Sequence, residues 1–251
     1  MDTATSRNRI FSEDTILRQS VTGYRFTSDS MLLSWFTALN APAACSRALE
    51  IGSGTGVVPI VLKRRGFSAQ IDCVEIQKSL FELLSENIRE NSLSDSLTPV
   101  LADFSDFCSE KHAKYDLVFT NPPYHQRTSG RVAEDSEKAI AKHEICGSLE
   151  SFMASAAKIL RVDGHFMLVY PLERLQYALS SAARHGYHLK NIVFFRETAK
   201  SSPSTFTADF VFNPKKENSY AAQSGIVTLR DDNGEYSATG EEIMHEIRRE
   251  D

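Results

Sequence analysis

Short apolar runs alternate with amphipathic stretches along most of this chain. Arg47-Ala-Leu-Glu-Ile51, Gln70-Ile-Asp-Cys-Val-Glu75, Thr98-Pro-Val-Leu-Ala102, Tyr115-Asp-Leu-Val-Phe-Thr120 and His165-Phe-Met-Leu-Val-Tyr170 have strand length and β-rich composition. Between them, Val57 to Arg65, Ser79 to Asn91, Leu149 to Leu160 and Leu172 to His185 read as helices. In the second of these, Leu80, Leu83, Leu84 and Ile88 form one apolar stripe, read as core. The alternation predicts an α/β fold on a mostly parallel sheet.

The flanking regions follow the same logic. Residues 1–9 are expected to be disordered, and Glu13 to Gly23 to be extended or a hairpin. Ser28-Asp29-Ser30 signals a helix start before Met31-Leu-Leu-Ser-Trp-Phe36, and Asp29 could also line a site. Residues 125–148 read as a loop beside the site leading into a helix start, and Val162-Asp-Gly164 as a turn. Leu189 to Phe195 and Thr205 to Phe212 are expected to form a terminal antiparallel pair. Residues 215–224 read as loose, Ile226 to Leu229 as an edge strand, Asp232-Asn-Gly234 as a turn and Glu241 to Arg249 as a charged helix.

Composition narrows the class. The chain has 251 residues, 41% hydrophobic and 24% charged, with a net charge of -5. That suits a globular protein with one well-built core. No apolar run approaches the roughly 18–20 residues of a membrane span, and the polar start lacks a signal-peptide core. Cys45, Cys73, Cys108 and Cys146 are scattered without a C-x-x-C pair, so no metal is expected and a reduced cytoplasmic location is the simplest reading. The mild acidity argues against nucleic-acid binding by the whole surface but leaves room for a local basic face.

Four strand ends carry candidate chemistry. The first runs into Gly52-Ser53-Gly54-Thr55-Gly56 and a helix, the strand–glycine turn–helix arrangement of nucleotide sites, although G-x-G-x-G is not the dinucleotide spacing. The second ends at Glu75, about twenty residues beyond the glycines, where a ribose-binding acid is expected. The third ends at Asp103-Phe104, an acid able to accept from an adenine amino group beside a ring that packs next to the base. A solvated strand-end charge at Glu75 and a cap aspartate at Asp103 are the structural alternatives.

The fourth strand ends at Asn121-Pro122-Pro123-Tyr124. Two prolines cannot continue a ladder and they restrict the residue before them. An amide oxygen, a proline carbonyl and an aromatic ring are thus held stiffly at a strand end. The Asn121 oxygen and the Pro122 carbonyl suit an NH2 group, and the Tyr124 ring suits the plane bearing it. The bland alternative is a strand-ending turn.

Together these features resemble the class I S-adenosylmethionine-dependent methyltransferases. More narrowly, the chain resembles the bacterial valine tRNA (adenine-N6)-methyltransferase family, which modifies the adenine beside the anticodon. The likeness covers roughly residues 11–240. It rests on Gly23-Tyr-Arg-Phe-Thr-Ser-Asp29 with Leu32-Leu33, on Leu49-Glu-Ile-Gly-Ser-Gly-Thr-Gly56, Val74-Glu75, Ala102-Asp103 and Asn121-Pro-Pro-Tyr124, and on Val227-Thr-Leu-Arg-Asp-Asp-Asn-Gly-Glu-Tyr-Ser237. Ser28 stands where many members have other small residues. The resemblance implies a Rossmann-like fold: a seven-stranded, mostly parallel sheet with an antiparallel last strand and helices on both faces. It implies an N-terminal segment, 1–44, contributing to the active site, a methyltransferase core, 45–215, and a C-terminal extension, 216–251, packed on or beside it. The implied methyl donor is S-adenosylmethionine and the implied partner is tRNA, with no metal and no membrane, bound by a monomer. Asn121, Pro122 and Tyr124 would be catalytic. Glu50, Gly52, Gly54, Gly56, Glu75, Ile76, Asp103, Phe104 and Asn121 would hold the donor. Tyr124 would meet the RNA, and Arg25, Arg127, Arg131, Arg196 and Lys200 are candidate RNA contacts because they flank the proposed site.

Other readings stay open from sequence. A glutamine N5-methyltransferase of a release factor would need a larger N-terminal domain than the roughly 45 residues before the first sheet strand. DNA adenine methylation would need an inserted recognition domain. Guanine N2 methylation of ribosomal RNA stays open. A nucleotide-dependent oxidoreductase fits the glycine spacing poorly, and a non-catalytic RNA-binding relic fits the intact Asn-Pro-Pro-Tyr stretch poorly.

Overall fold

In the computed structural model, which describes residues 5–9, 15–20, 28–110, 114–123, 148–215 and 221–244, the apolar runs become strands of one eight-stranded sheet. Strands β1 (Thr5–Arg9) and β2 (Ile16–Ser20) form a separate antiparallel pair ahead of it. Residues 1–9 therefore contain a strand, contrary to the expectation of disorder. Helix α1 (Ser28–Asn40) comes next, then β3 (Arg47–Ile51), α2 (Val57–Arg64), β4 (Gln70–Glu75) and α3 (Lys78–Glu90). Strand β5 (Leu97–Leu101), α4 (Phe104–Glu110) and β6 (Tyr115–Thr120) follow. After residue 148 come α5 (Leu149–Ile159), β7 (Leu160–Pro171), α6 (Leu175–Arg184), β8 (Tyr187–Arg196) and β9 (Thr205–Phe212). Strand β10 (Gln223–Thr228) and α7 (Ala238–Met244) end the described chain.

The sheet order is β10-β8-β9-β7-β6-β3-β4-β5, with every pair parallel except β9, which runs antiparallel to both β7 and β8. The expected seven strands are β3 to β9. The eighth, β10, is a C-terminal addition lying parallel to β8 at the edge. The central strands are apolar on both faces because both faces are covered. Along β7, Met167 and Val169 face the core under α1 and α2, while Phe166, Leu168 and Tyr170 face the core under α4, α5 and α6.

The turn expected at Val162-Asp-Gly164 is a bulge inside β7. The β6 register jumps from Tyr115↔Leu160 to Leu117↔His165, and Asp163 takes φ 61 in the excursion. Helix α1 is buried around nearly its whole girth, from Ser30 to Thr37. Ser28-Asp29-Ser30 forms its first turn, where an acidic residue is favoured by the helix dipole. The expected charged helix at Glu241 starts earlier, at Ala238. It is anchored by buried Ile243 and by Glu242, whose Oε1 accepts from Trp35 Nε1 at 3.2 Å.

Candidate active site

After β3 the chain moves outward to β4 and β5, and after β6 it moves the other way to β7. The connections therefore diverge between β3 and β6 and leave a crevice at the strand carboxyl ends, where α/β proteins bind ligands. The glycine turn, 52–56, follows β3, and Asn121-Pro122-Pro123 follows β6. The two strand ends are tied by Thr120 Oγ1 donating to Ile51 O at 3.0 Å.

The glycine turn is held from several sides. Gly52 N and Ser53 N both donate to Val74 O, at 2.9 and 3.0 Å. Gly54 N donates to Glu75 Oε2 at 2.8 Å, and Thr55 O accepts from Asn87 Nδ2 at 2.8 Å. Gly54 has φ +56, and a Cβ there would meet nothing within 4 Å, so its glycine serves the backbone conformation and faces open space. Gly56 combines φ +86 with close approach: a Cβ would lie 2.6 Å from Leu84 Cδ1 of α3.

The carboxylates differ in surroundings. Glu75 is buried, and its second oxygen accepts from Gln77 N at 2.8 Å, so it braces both the glycine turn and the bend after β4. Each of its oxygens keeps a further lone pair for a ligand hydroxyl. Glu50 is 2% exposed, and its Oε2 has no partner. Burial pushes its pKa up to about 8, the Ser53 hydroxyl opposes the rise, and the charge of Glu75 adds to it. A buried carboxyl with an unpartnered oxygen beside a glycine turn suits a ligand cation, and the open space at Gly54 and the 57% exposed Ile76 suit an apolar, planar ligand body. Asp103 accepts from Ser105 N at 2.7 Å and so caps α4, the structural alternative weighed for it, with its other oxygen left over. The Phe104 ring is 5% exposed and sits edge-on to Phe152 at 6.0 Å, so it packs into the core and has little face to offer a base.

Asn121 is half-buried and Pro122 buried at the end of β6. Tyr124, Arg25, Arg127 and Arg131 lie outside the described residues. Arg196 and Lys200 are already engaged. Arg196 Nε donates to Thr228 Oγ1 at 2.8 Å and its Nη1 to Ala199 O at 3.0 Å, while Lys200 Nζ lies 3.0 Å from Asp232 Oδ2. The contacts to Thr228 and Asp232 join the end of β8 and the loop after it to the C-terminal extension, and the contact to Ala199 is local. The cysteines Cys45, Cys73 and Cys108 are free and buried, and burial pushes the Cys45 and Cys108 thiols up to about 12. Among the described residues no cluster of His, Cys, Asp and Glu could hold a metal, and no helix is long and apolar enough to cross a membrane. Sequence reasoning missed Asn87. Its only signal was a polar residue inside the Leu80–Leu84–Ile88 region of α3, which looks like an ordinary interruption of a stripe.

The sheet order, the glycine turn at the divergence point and the acids at successive strand ends define a Rossmann-like protein of the class I methyltransferase type. The chain belongs to the methyltransferase small domain family, which it matches over residues 28–181. It is similar to the tRNA1(Val) (adenine(37)-N6)-methyltransferase of Dyadobacter fermentans, 28% identical over 188 residues, covering 74% of this chain and 75% of that one. The same-named protein of Edwardsiella ictaluri is 28% identical over 210 residues, covering 84% of this chain and 81% of its own. Among solved structures, a predicted O-methyltransferase of Agrobacterium tumefaciens shares the fold at TM-score 0.66 and 13% identity, over 86% of this chain and 95% of that chain. TYW2 of M. jannaschii in complex with AdoMet does so at TM-score 0.54 and 15% identity, over 84% and 88%.

Proposed function

We propose that this enzyme transfers the methyl group of S-adenosylmethionine to N6 of an adenine in tRNA, the anticodon-loop adenine of a valine tRNA. The observation that carries the reading is the meeting, at one divergence point, of Asn121-Pro122 with a glycine turn beside the unpartnered Oε2 of Glu50. Family membership makes the chain a methyltransferase, and the names of its relatives supply adenine N6 and the tRNA.

The donor supplies an electrophilic methyl on a sulfonium centre. Glu50 would take its ammonium group, Glu75 its ribose hydroxyls, and Ile76 with the Asp103 carboxylate its adenine. The exocyclic adenine nitrogen of the substrate is a poor nucleophile because its lone pair is delocalised. Asn121 Oδ1 and the Pro122 carbonyl would accept its two hydrogens and favour a more tetrahedral nitrogen as positive charge develops, which is electrostatic stabilisation by a preorganised site. No strong base is required, because the methylated nitrogen is acidic while cationic. Tyr124 would stack the base once it has left its neighbours, worth about 1–3 kcal/mol, and the remainder is positioning.

The test is incubation of the enzyme and labelled donor with an unmodified valine tRNA transcript, followed by nucleoside mass spectrometry. N6-methyladenosine at the anticodon-loop adenine is expected. A methylguanosine product, or methylation of a release-factor glutamine in its place, would overturn the reading.

A further inference from the structure

Helix α3 and its C-cap carry two buried asparagines one turn apart, Asn87 and Asn91, and both use their side-chain amides as peptide groups. Arg18 N donates to Asn87 Oδ1 at 2.7 Å, and Asn87 Nδ2 donates back to Arg18 O at 3.1 Å. Ile16 N donates to Asn91 Oδ1 at 3.1 Å, and Asn91 Nδ2 donates back to Ile16 O at 2.7 Å. The spacing makes this possible. Four helical residues rise about 6 Å, and two strand residues about 6.6–6.8 Å, so asparagines at i and i+4 meet alternate residues of a strand edge. Helix α3 thus stands in for the missing neighbour of β2. The Arg18 guanidinium adds two bonds to Glu90 Oε1, at 3.0 and 2.5 Å.

Asn87 does more than hold β2. The second hydrogen of its Nδ2 goes to Thr55 O, inside the glycine turn. Its oxygen and both amide hydrogens are therefore committed, one side to β2 and the other to the turn. Because the amide is planar, a shift of the Thr55 carbonyl tilts the plane and alters the bonds to Arg18. Leu84, three residues earlier, is the side chain against which Gly56 packs. Asn91 touches β2 and α2 but no residue of the glycine turn: its further partners are Asn87 O at 2.8 Å and Arg64 Nη2 at 3.3 Å. Only residues 21–27 separate β2 from α1.

We infer that Asn87 is a positioning residue that couples the N-terminal hairpin to the methyl-donor site: donor binding tightens the seat of β2 on α3, and a seated β2 raises donor affinity. The inference rests on the reading of the glycine turn as the donor site, and the coupling must be reciprocal.

The experiment uses the full chain and S-adenosylhomocysteine as the probe, with calorimetry for affinity and residue-resolved amide exchange at Ile16 and Arg18. In the native chain, saturating probe should slow Arg18 exchange several-fold. Asn91→Ala, which leaves every contact to the turn in place, should weaken probe binding by about 5-fold or more, the low end of usual couplings. Asn87→Asp keeps the acceptor for Arg18 N but turns the donor that serves both Thr55 O and Arg18 O into an acceptor. It should weaken binding further and abolish the effect of the probe on Arg18 exchange. If Asn87→Asp folds poorly, the native exchange response and the Asn91→Ala affinity decide alone. Probe binding with unchanged Arg18 exchange, or an Asn91→Ala protein that loses melting temperature but binds like the native chain, overturns the coupling while leaving the donor site standing. No probe binding to the native chain overturns the donor site, and the coupling with it.

Discussion

Glu50 is a residue whose state depends on what surrounds it. Its folded pKa of about 8 stands above its ordinary 4.5 because burial disfavours the charge. Between those values the folded chain keeps a proton that the unfolded chain has released, so this contribution to stability is full below about 4.5 and is lost as pH rises through about 8. Glu50→Gln should therefore flatten the melting temperature between pH 5 and 9, measured as a pH series, and gain on the native chain by a few kcal/mol at the alkaline end. The donor's ammonium would reverse the preference, so donor binding near pH 7 should release up to one proton. Calorimetry in two buffers of different ionisation enthalpy reads that number directly, and Glu50→Gln should show none. Asn121 belongs to the same scale. Asn121→Ala should lower the single-turnover rate by roughly 2.7–4 kcal/mol of barrier, by analogy with a lost oxyanion-hole donor, with little change in donor affinity. Tyr124→Phe should keep most activity and Tyr124→Ala should not. Equal impairment of the two Tyr124 variants would mean that the hydroxyl, not the ring face, does the work.

The glycine turn and α3 act as one element. Gly56 needs both its left-handed conformation and the absence of a Cβ against Leu84. Gly56→Ala should cost roughly 1–2 kcal/mol for the conformation and a similar amount for overpacking. Adding Leu84→Ala should return only the overpacking share, less the cost of its own cavity. Melting curves of the single and double variants separate the terms, and additive losses would show that the two positions do not touch. The strand–turn–helix order and the acids at strand ends were legible in sequence because they are local: each depends on a few consecutive residues and on side-chain period. The bulge in β7 was only half legible. Val162-Asp-Gly164 carries turn residues, but whether such residues end a strand or interrupt it depends on a neighbour that keeps pairing on both sides, and β6 does.

On the scale of the molecule, the C-terminal extension is part of the main core. Leu229, Ile243 and Met244 are buried with Phe36, Val61 and Met167. The Arg230 guanidinium lies 3.8 Å over the Tyr236 ring and its Nε donates to Glu197 Oε1 at 2.7 Å, so the segment after β10 is strapped to the loop after β8. Ile243→Ala should cost about 2–5 kcal/mol, typical for emptying a buried isoleucine site, in a single cooperative transition. A melting curve unchanged from the native one would mean that the extension is an appendage. The same strapping is not visible in the sequence, where Arg196 and Lys200 read as RNA contacts, because both have partners more than thirty residues away, at Thr228 and Asp232.

The sequence by itself determined the α/β class, the position of the glycine turn and the placement of Glu75, Asp103 and Asn121 at strand ends, because hydrophobic period and backbone-restricting residues act locally. Only the tertiary structure decided what those residues face. It set Asp103 as a helix cap, turned the Phe104 ring into the core, left one oxygen of Glu50 without a partner and gave Asn87 two loads to carry. Such roles depend on which chain segments meet across the fold. A hydrogen bond between residues tens of positions apart leaves no period in the sequence, and a carboxyl group acquires its pKa from the burial and charges that packing brings to it.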